Sequence, residues 1–185
     1  MTADDTNRRF EQSVLPHLDA AFNLARWMTG SDHDAQDVAQ EACLRALKYL
    51  PSQSGSSPRA WLLTIVRNTC RTWLEKNRAR EIVATLAEGD VLDAGTTTMN
   101  PEVLAFRRAD REVVRRAIEQ LPPEYREVVV LREIEGLSYK EIGEIADVPM
   151  GTAMSRLSRA RRQLEQSMAK ALGETPREKD SVHGM

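Results

Sequence analysis

Apolar side chains recur every three or four residues from Arg9 to Met28, at Phe10, Val14, Leu18, Ala21, Phe22 and Ala25. That spacing predicts a helix with one buried stripe. Pro16 falls inside the run and predicts a kink or a fresh helical start, because its ring removes a backbone N–H and crowds the preceding turn. Gly30 ends the segment, and Ser31 or Asp32 begins the next. A second stripe, from about Asp34 to Leu50, runs through Ala35, Val38, Ala42, Ala46 and Tyr49. Ser52 to Ser57, between Pro51 and Pro58, holds no apolar anchor and predicts a loop. Helical period resumes from Arg59 to about Arg80, with Leu62, Ile65, Val66, Thr69 and Trp73 facing inward, Arg67, Arg71 and Arg78 outward, and Asn68 at the edge.

Gly89 to Pro101 has no periodicity and predicts a linker. Beyond it, Val103 to Gln120 predicts a helix buried through Phe106, Val113, Val114, Ala117 and Leu121. Pro122-Pro123 stops that helix and starts another carrying Tyr125, Val128, Val129 and Leu131 inward. The run Val128 to Val130 suits a strand by composition, but its place after a double proline favours a buried helix. Ser138 and Glu141 stand at the spacing that lets each side chain cap the other's free backbone N–H, predicting a short helix from about Tyr139 to Ala146. Gly143 lets a neighbour cross closely, and Asp147 to Pro149 supply a turn. In the next helix Ala153, Leu157, Ala160 and Leu164 share one side, while Gly151, Ser155, Ser158, Arg159 and Arg162 share the other. One reading is a helical hairpin with a solvated basic face. The small residue at the crossing, the tight turn and the Ser/Arg face together favour a helix-turn-helix whose second helix enters a DNA major groove.

Composition narrows the class. No apolar run is long enough for a membrane span, and the Asp-rich start lacks a signal pattern, so a cytoplasmic protein without membrane insertion is expected. Cys43 and Cys70 read as buried thiols rather than a disulfide or zinc site, and His17, His33 and His183 are scattered, so neither metal nor cofactor is expected. A net charge of −2 argues against a general polyanion binder. Its distribution does not: residues 51–87 and 148–172 each sum to +4 within an otherwise acidic chain, which suits two separate DNA contacts. On the polar side of the second helix, Leu44 and Leu47 stand among acids, which fits a partner surface better than a solvated face. No paired carboxylates, nucleophile motif or phosphate loop points to an enzyme or a small-molecule substrate.

Five stretches carry a family resemblance: Asp34 to Glu41, Trp61 to Asn68, Leu121 to Arg132, Leu137 to Gly143, and Val148 through Thr152, Ser155 to Leu157 and Arg159 to Arg161. In that order, over about residues 8–170, the chain resembles a bacterial RNA polymerase sigma factor of the extracytoplasmic-function class in the sigma-70 family. The resemblance implies an all-α fold of two small helical domains: residues 1–87 for polymerase binding and −10 recognition and melting, and 103–172 for −35 recognition. An acidic flexible linker, 88–102, would join them near the path of nascent RNA; residues 173–185, short, polar and mixed in charge, are expected to be a disordered tail.

The implied partners are core RNA polymerase, promoter DNA and an anti-sigma factor. Asp34, Asp37, Gln40 and Glu41 would dock on polymerase, with Leu44 as the apolar contact. The loop bearing Ser52, Gln53, Ser54 and Gly55 would read the −10 element together with Asn68, while Arg67, Arg71 and Arg78 grip phosphates. In the −35 element Ser155, Ser158 and Arg159 would meet base edges, and Thr152, Arg156, Arg161, Arg162, Arg132 and Tyr139 would hold the backbone. Ala153 and Met154 depart from the Val and basic residue that many members carry there. A two-domain helix-turn-helix regulator that does not bind polymerase is the alternative; Leu44 in its acidic ring would then lack a purpose.

Overall fold

In the computed structural model of the chain, residues 3–53, 57–85 and 103–171 are described, and no strand occurs among them. The first run breaks where Pro16 requires. Helix α1 (Ala3–Ser13) is followed by a 3-10 turn, Leu15–His17, and then α2 (Leu18–Thr29), which ends on left-handed Gly30 at φ 75°. The Gly30 N–H reaches back to the carbonyl of Arg26, closing the helix with a conformation that costs glycine little. Ser31 then caps α3 (Asp32–Tyr49), its hydroxyl accepting from the Asp34 N–H. A 3-10 turn, Leu50–Ser52, leads towards α4 (Pro58–Thr85).

Helices α2, α3 and α4 pack on one another around Leu24, Val38, Ala42, Leu62, Leu63 and Val66. The α3 stripe ends on Leu50, which is fully buried, and not on Tyr49, which is half exposed. One residue of rotation decides this, because the 3-10 turn begins there and carries Leu50 beneath the bundle. The loop residues 54–56 and the expected linker and tail lie outside the described residues, as does the side chain of Phe106.

The C-terminal half consists of α5 (Val103–Glu119), α6 (Pro123–Val129), α7 (Tyr139–Ala146) and α8 (Met150–Ala171). Helix α8 packs against α5, α6 and α7. Val114, expected inside, is exposed, and Ile118 takes its place beside Ala117 and Leu121. Val128 to Val130 are helical and buried. Past Val129 the chain does not simply stop: Val130–Ile134 forms a π-helical turn in which the Glu135 N–H bonds to the Val130 carbonyl five residues back, at 3.0 Å. Gly136 at φ 67° then releases the chain toward α7.

The two halves touch. Helix α4 lies against α7, and α2 against α6, so that Leu24, Leu63 and Val66 share one buried cluster with Val128, Leu131 and Ile145.

Candidate nucleic-acid interface

The helix-turn-helix is built from local rules that agree with one another. Ser138 and Glu141 form a complete capping box, Ser138 Oγ accepting from the Glu141 N–H and the Glu141 carboxylate accepting from the Ser138 N–H at 2.9 Å. Those bonds hold the Glu141 carboxyl below its ordinary value. Asp147, left-handed at φ 53°, turns the chain out of α7. A Cβ on Gly143 would stand 2.9 Å from the Val148 carbonyl oxygen, so glycine is what admits the turn into α8.

The turn fixes which way α8 faces. Ala153, Leu157 and Ala160 are buried and Leu164 is half-buried, while Gly151, Met154, Ser155, Ser158, Arg159, Arg161 and Arg162 are exposed. Thr152 and Arg156 lie half-buried at the margin. Arg161 is already engaged: its guanidinium bonds to Glu133 Oε1 at 2.6 Å, tying α8 to the π-helical turn. Arg132 donates to the Leu137 carbonyl at 2.7 Å and stacks 4.8 Å from the centre of the Tyr139 ring. These two side chains are thus brought together, and they brace the entry to α7 as well as edging the α8 face.

The second cationic surface departs from expectation. Asn68, Arg71 and Arg78 are exposed on α4, but Arg67 is only 7% exposed. It sits between Leu63 and Cys70, one turn apart on the buried side, and points into the C-terminal half. There its Nε donates to Glu127 Oε1 at 2.8 Å, one terminal nitrogen donates to the Ala146 carbonyl at 2.8 Å, and the other to Asn68 Oδ1 at 3.2 Å. The outward orientation expected of Arg67 is therefore corrected: helical period alone put it with Arg71, but the second half of the chain covers it. Of the loop, Ser52 is exposed and bonds to the Tyr49 carbonyl, and the Gln53 side chain and carbonyl both accept from Arg9. Ser54 and Gly55 lie outside the described residues.

On α3, Asp37, Gln40, Glu41 and Leu44 are exposed and Asp34 is half-buried. Leu44 is 59% exposed and Leu47 38%, so the apolar pair does stand in solvent. Glu41 pairs with Arg45 at 2.7 Å. His33, Asp34 and Asp37 each bring one ligand atom within 4.8 Å of the others. Such acids at the start of a helix already complement its dipole and need no ion to explain them. Cys70 is buried and its thiol is pushed up to about 12, first by burial and then by the charge of Glu127, which leaves it unreactive; Cys43 is half-buried.

Sequence reasoning missed Arg59, Glu127 and Glu135. Arg59 bonds to Glu135 Oε2 at 2.6 Å, and Asn23 reaches Glu135 Oε1 at 3.4 Å. Glu127 and Glu135 are among the few buried charged residues. A signal existed: Glu127 shares a helix face with Leu131, one turn on, where a lone acid needs a cation to accompany it.

The fold defines an all-helical protein that joins a three-helix unit to a helix-turn-helix. Residues 14–80 match the family model for Sigma-70 region 2, and residues 111–164 that for Sigma-70, region 4. An extracytoplasmic-function (ECF) RNA polymerase sigma factor, SigE of Mycolicibacterium smegmatis, is 32% identical over 90% of this chain, which spans 64% of that relative's length. The ECF RNA polymerase sigma-E factor of Escherichia coli K12 is 37% identical over 71% of the chain and 72% of its own length. Among solved structures, the sigma factor RpoE in complex with the anti-sigma factor NepR from Bartonella quintana superposes with a TM-score of 0.70 at 28% identity, over 86% of this chain and 96% of that one. CnrH, solved with the cytosolic domain of CnrY, shares the fold at a TM-score of 0.60 and 24% identity, over 89% of this chain and 90% of that one. The chain belongs to the sigma-70 family, in its extracytoplasmic-function class.

Proposed function

We propose that the chain is a transcription initiation factor that holds core RNA polymerase and directs it to promoters by reading their −10 and −35 elements. It acts without cofactor and is not an enzyme. The observation that carries this reading is the division of α8 into a buried apolar side and an exposed Ser/Arg side, on a helix-turn-helix within a chain that also presents Leu44 among acids. The cytoplasm is its proposed place of action, where polymerase and promoter DNA are met; no helix among the described residues is long and apolar enough to cross a membrane.

In this reading residues 1–87 and 103–172 are the working domains, 88–102 links them, and 173–185 is a tail. Ser155, Ser158 and Arg159 meet base edges in the −35 major groove, arginine being the usual partner of guanine. Thr152, Arg156 and Arg162 set position on phosphates, joined by Arg161 once it leaves Glu133, while Arg132 and Tyr139 brace the helix pair. Asn68, with Ser52 to Gly55, reads the −10 bases, and Arg71 and Arg78 hold their phosphates; Arg67 joins them only when the halves part. An anti-sigma factor is the expected regulator. The RpoE chain superposes over both halves at once, and it was solved in complex with such a factor. A two-domain regulator indifferent to polymerase gains nothing from relatives that are named RNA polymerase sigma factors.

Two experiments test the assignment. Arg159→Ala is expected to cost about 2 kcal/mol of −35 discrimination with the fold intact, since the side chain is exposed. Footprinting on a cognate promoter checks it, and protection of the −35 region equal to wild type would remove Arg159 from base recognition. Leu44→Asp should leave thermal stability unchanged, because the side chain is 59% exposed, yet weaken binding to purified core polymerase by about tenfold or more. Unchanged affinity would dismiss α3 as the docking surface.

A further inference from the structure

The outward side of α8 is not wholly polar. Two large apolar side chains stand in solvent at its start, Met150 at 53% and Met154 at 46% exposure. Met150, Met154 and Ser158 follow at intervals of four and form one row, beside a second row of Gly151, Ser155 and Arg159, and all six are exposed. A single apolar side chain in water is ordinary, but Met154 interrupts the very surface that carries Ser155, Ser158 and Arg159. Met150 lines the recess beside Gly143 and Pro149 at the turn, so Met154 is the one set among the polar groups. Gly151 adds a second observation. A Cβ there would meet nothing within 4 Å and its backbone is regular helix, so neither crowding nor conformation asks for glycine, a poor helix former. What it leaves is a notch one turn before Met154 and Ser155, where a base edge can come close to the helix.

Ser155 shows what the polar row lacks. Its hydroxyl donates to the Thr152 carbonyl at 3.0 Å, which leaves the oxygen to accept. In the major groove an acceptor meets the adenine N6 amino group and the cytosine N4 amino group alike. The A·T pair differs from C·G in a further mark, the thymine C5-methyl, which calls for an apolar contact. A methionine side chain is unbranched, flexible and polarisable, and so fits itself to such a group. We infer that Met154 is a specificity-determining residue of α8: it packs on the C5-methyl of a thymine in the −35 element, next to the base that Ser155 accepts from, and selects A·T where Ser155 alone admits C·G. This contact presupposes the −35 reading and names the chemical group recognised within it. The occupant is DNA and not a protein surface, because the row beside Met154 is hydroxylated and cationic through Ser155 and Arg159, and Arg162 is exposed on the same side.

Deoxyuridine substitution tests the contact, since it removes the methyl group and nothing else. Promoter duplexes carrying deoxyuridine for each −35 thymine in turn, on either strand, are titrated with the full chain bound to core polymerase. At one position wild type should bind about fourfold more weakly, the share of one methyl group withdrawn from water. Met154→Ala should bind both duplexes alike, and Met154→Leu should keep the discrimination. Met154→Lys should lose it while gaining an affinity that falls more steeply with salt, as an added phosphate contact does. Circular dichroism should show equal helicity throughout; should the alanine variant lose it, Met154→Gln takes its place with the same expected result. The contact is overturned if no thymine methyl matters to wild type, if Met154→Ala keeps the wild-type ratio, or if Met154→Leu abolishes it. It is overturned equally if Met154→Ala weakens association with core polymerase in the absence of DNA, which makes the side chain a protein contact. A chain that protects no −35 element dismisses the −35 reading and the contact with it, whereas one that protects it without regard to the methyl dismisses the contact alone.

Discussion

Gly143→Val is expected to lower the unfolding free energy by about 3 kcal/mol and to abolish −35 protection. Any Cβ there would meet the Val148 carbonyl oxygen at 2.9 Å and the Met150 N–H at 3.4 Å, both of them backbone. Backbone cannot rotate aside as a side-chain tip does, so the turn itself must move. Valine adds two methyl groups to that collision and is stiff at χ1. The displaced segment is the start of α8, whose angle decides where Ser155 and Arg159 arrive. Chemical denaturation measures the first effect and footprinting the second. Full −35 protection by the variant would show that the crossing tolerates more than the distances imply.

Leu157→Ala should cost about 3 to 4 kcal/mol, since a fully buried leucine is replaced by a cavity that its neighbours fill only in part. Leu157 is 2% exposed, in the stripe that α8 presents to the rest of its half between Ala153 and Ala160. Those neighbours are already alanines, so few side-chain atoms can collapse into the space. The loss should appear as a lowered melting temperature. Promoter binding should weaken at −35 while the association with polymerase proposed for Leu44 persists, because α3 lies in the other half. A change of less than about 1 kcal/mol would mean that α8 is held chiefly by its ends.

The local architecture was legible in the residues. Ser31, Ser138 with Glu141, Gly30 and Pro16 each mark a helix boundary by a mechanism that acts within a few residues, and each boundary stands where that mechanism puts it. The two-sided character of α8 was equally plain, because Ala153, Leu157 and Ala160 fall in phase. Errors arose where a distant segment decides the outcome. Arg67 shares its side of α4 with buried Leu63 and Cys70 as well as with exposed Arg71, so period leaves it undecided; only the arrival of α6 and α7 settles it. Tyr49 and Leu50 compete for one place, and a 3-10 turn awards it to Leu50. The π-helical turn after Val129 left no composition mark at all, since valine and leucine suit either helix. Glu127 and Glu135 went unread because acids usually remain in water, and their partners lie 60 and 76 residues away.

That turn carries an evolutionary corollary. Val130–Ile134 holds about one residue more than an α-helical turn would need, and both Glu133 and Glu135 take their directions from it. Loss of a single codon there would turn the five-residue bond between Glu135 and Val130 into the four-residue bond of regular helix, with the same two groups at its ends. Glu135 would keep its place beside Arg59, and only the residues between, Glu133 among them, would change direction. A related chain could thus differ in length by one residue at this point and still deliver its helix-turn-helix in the same place.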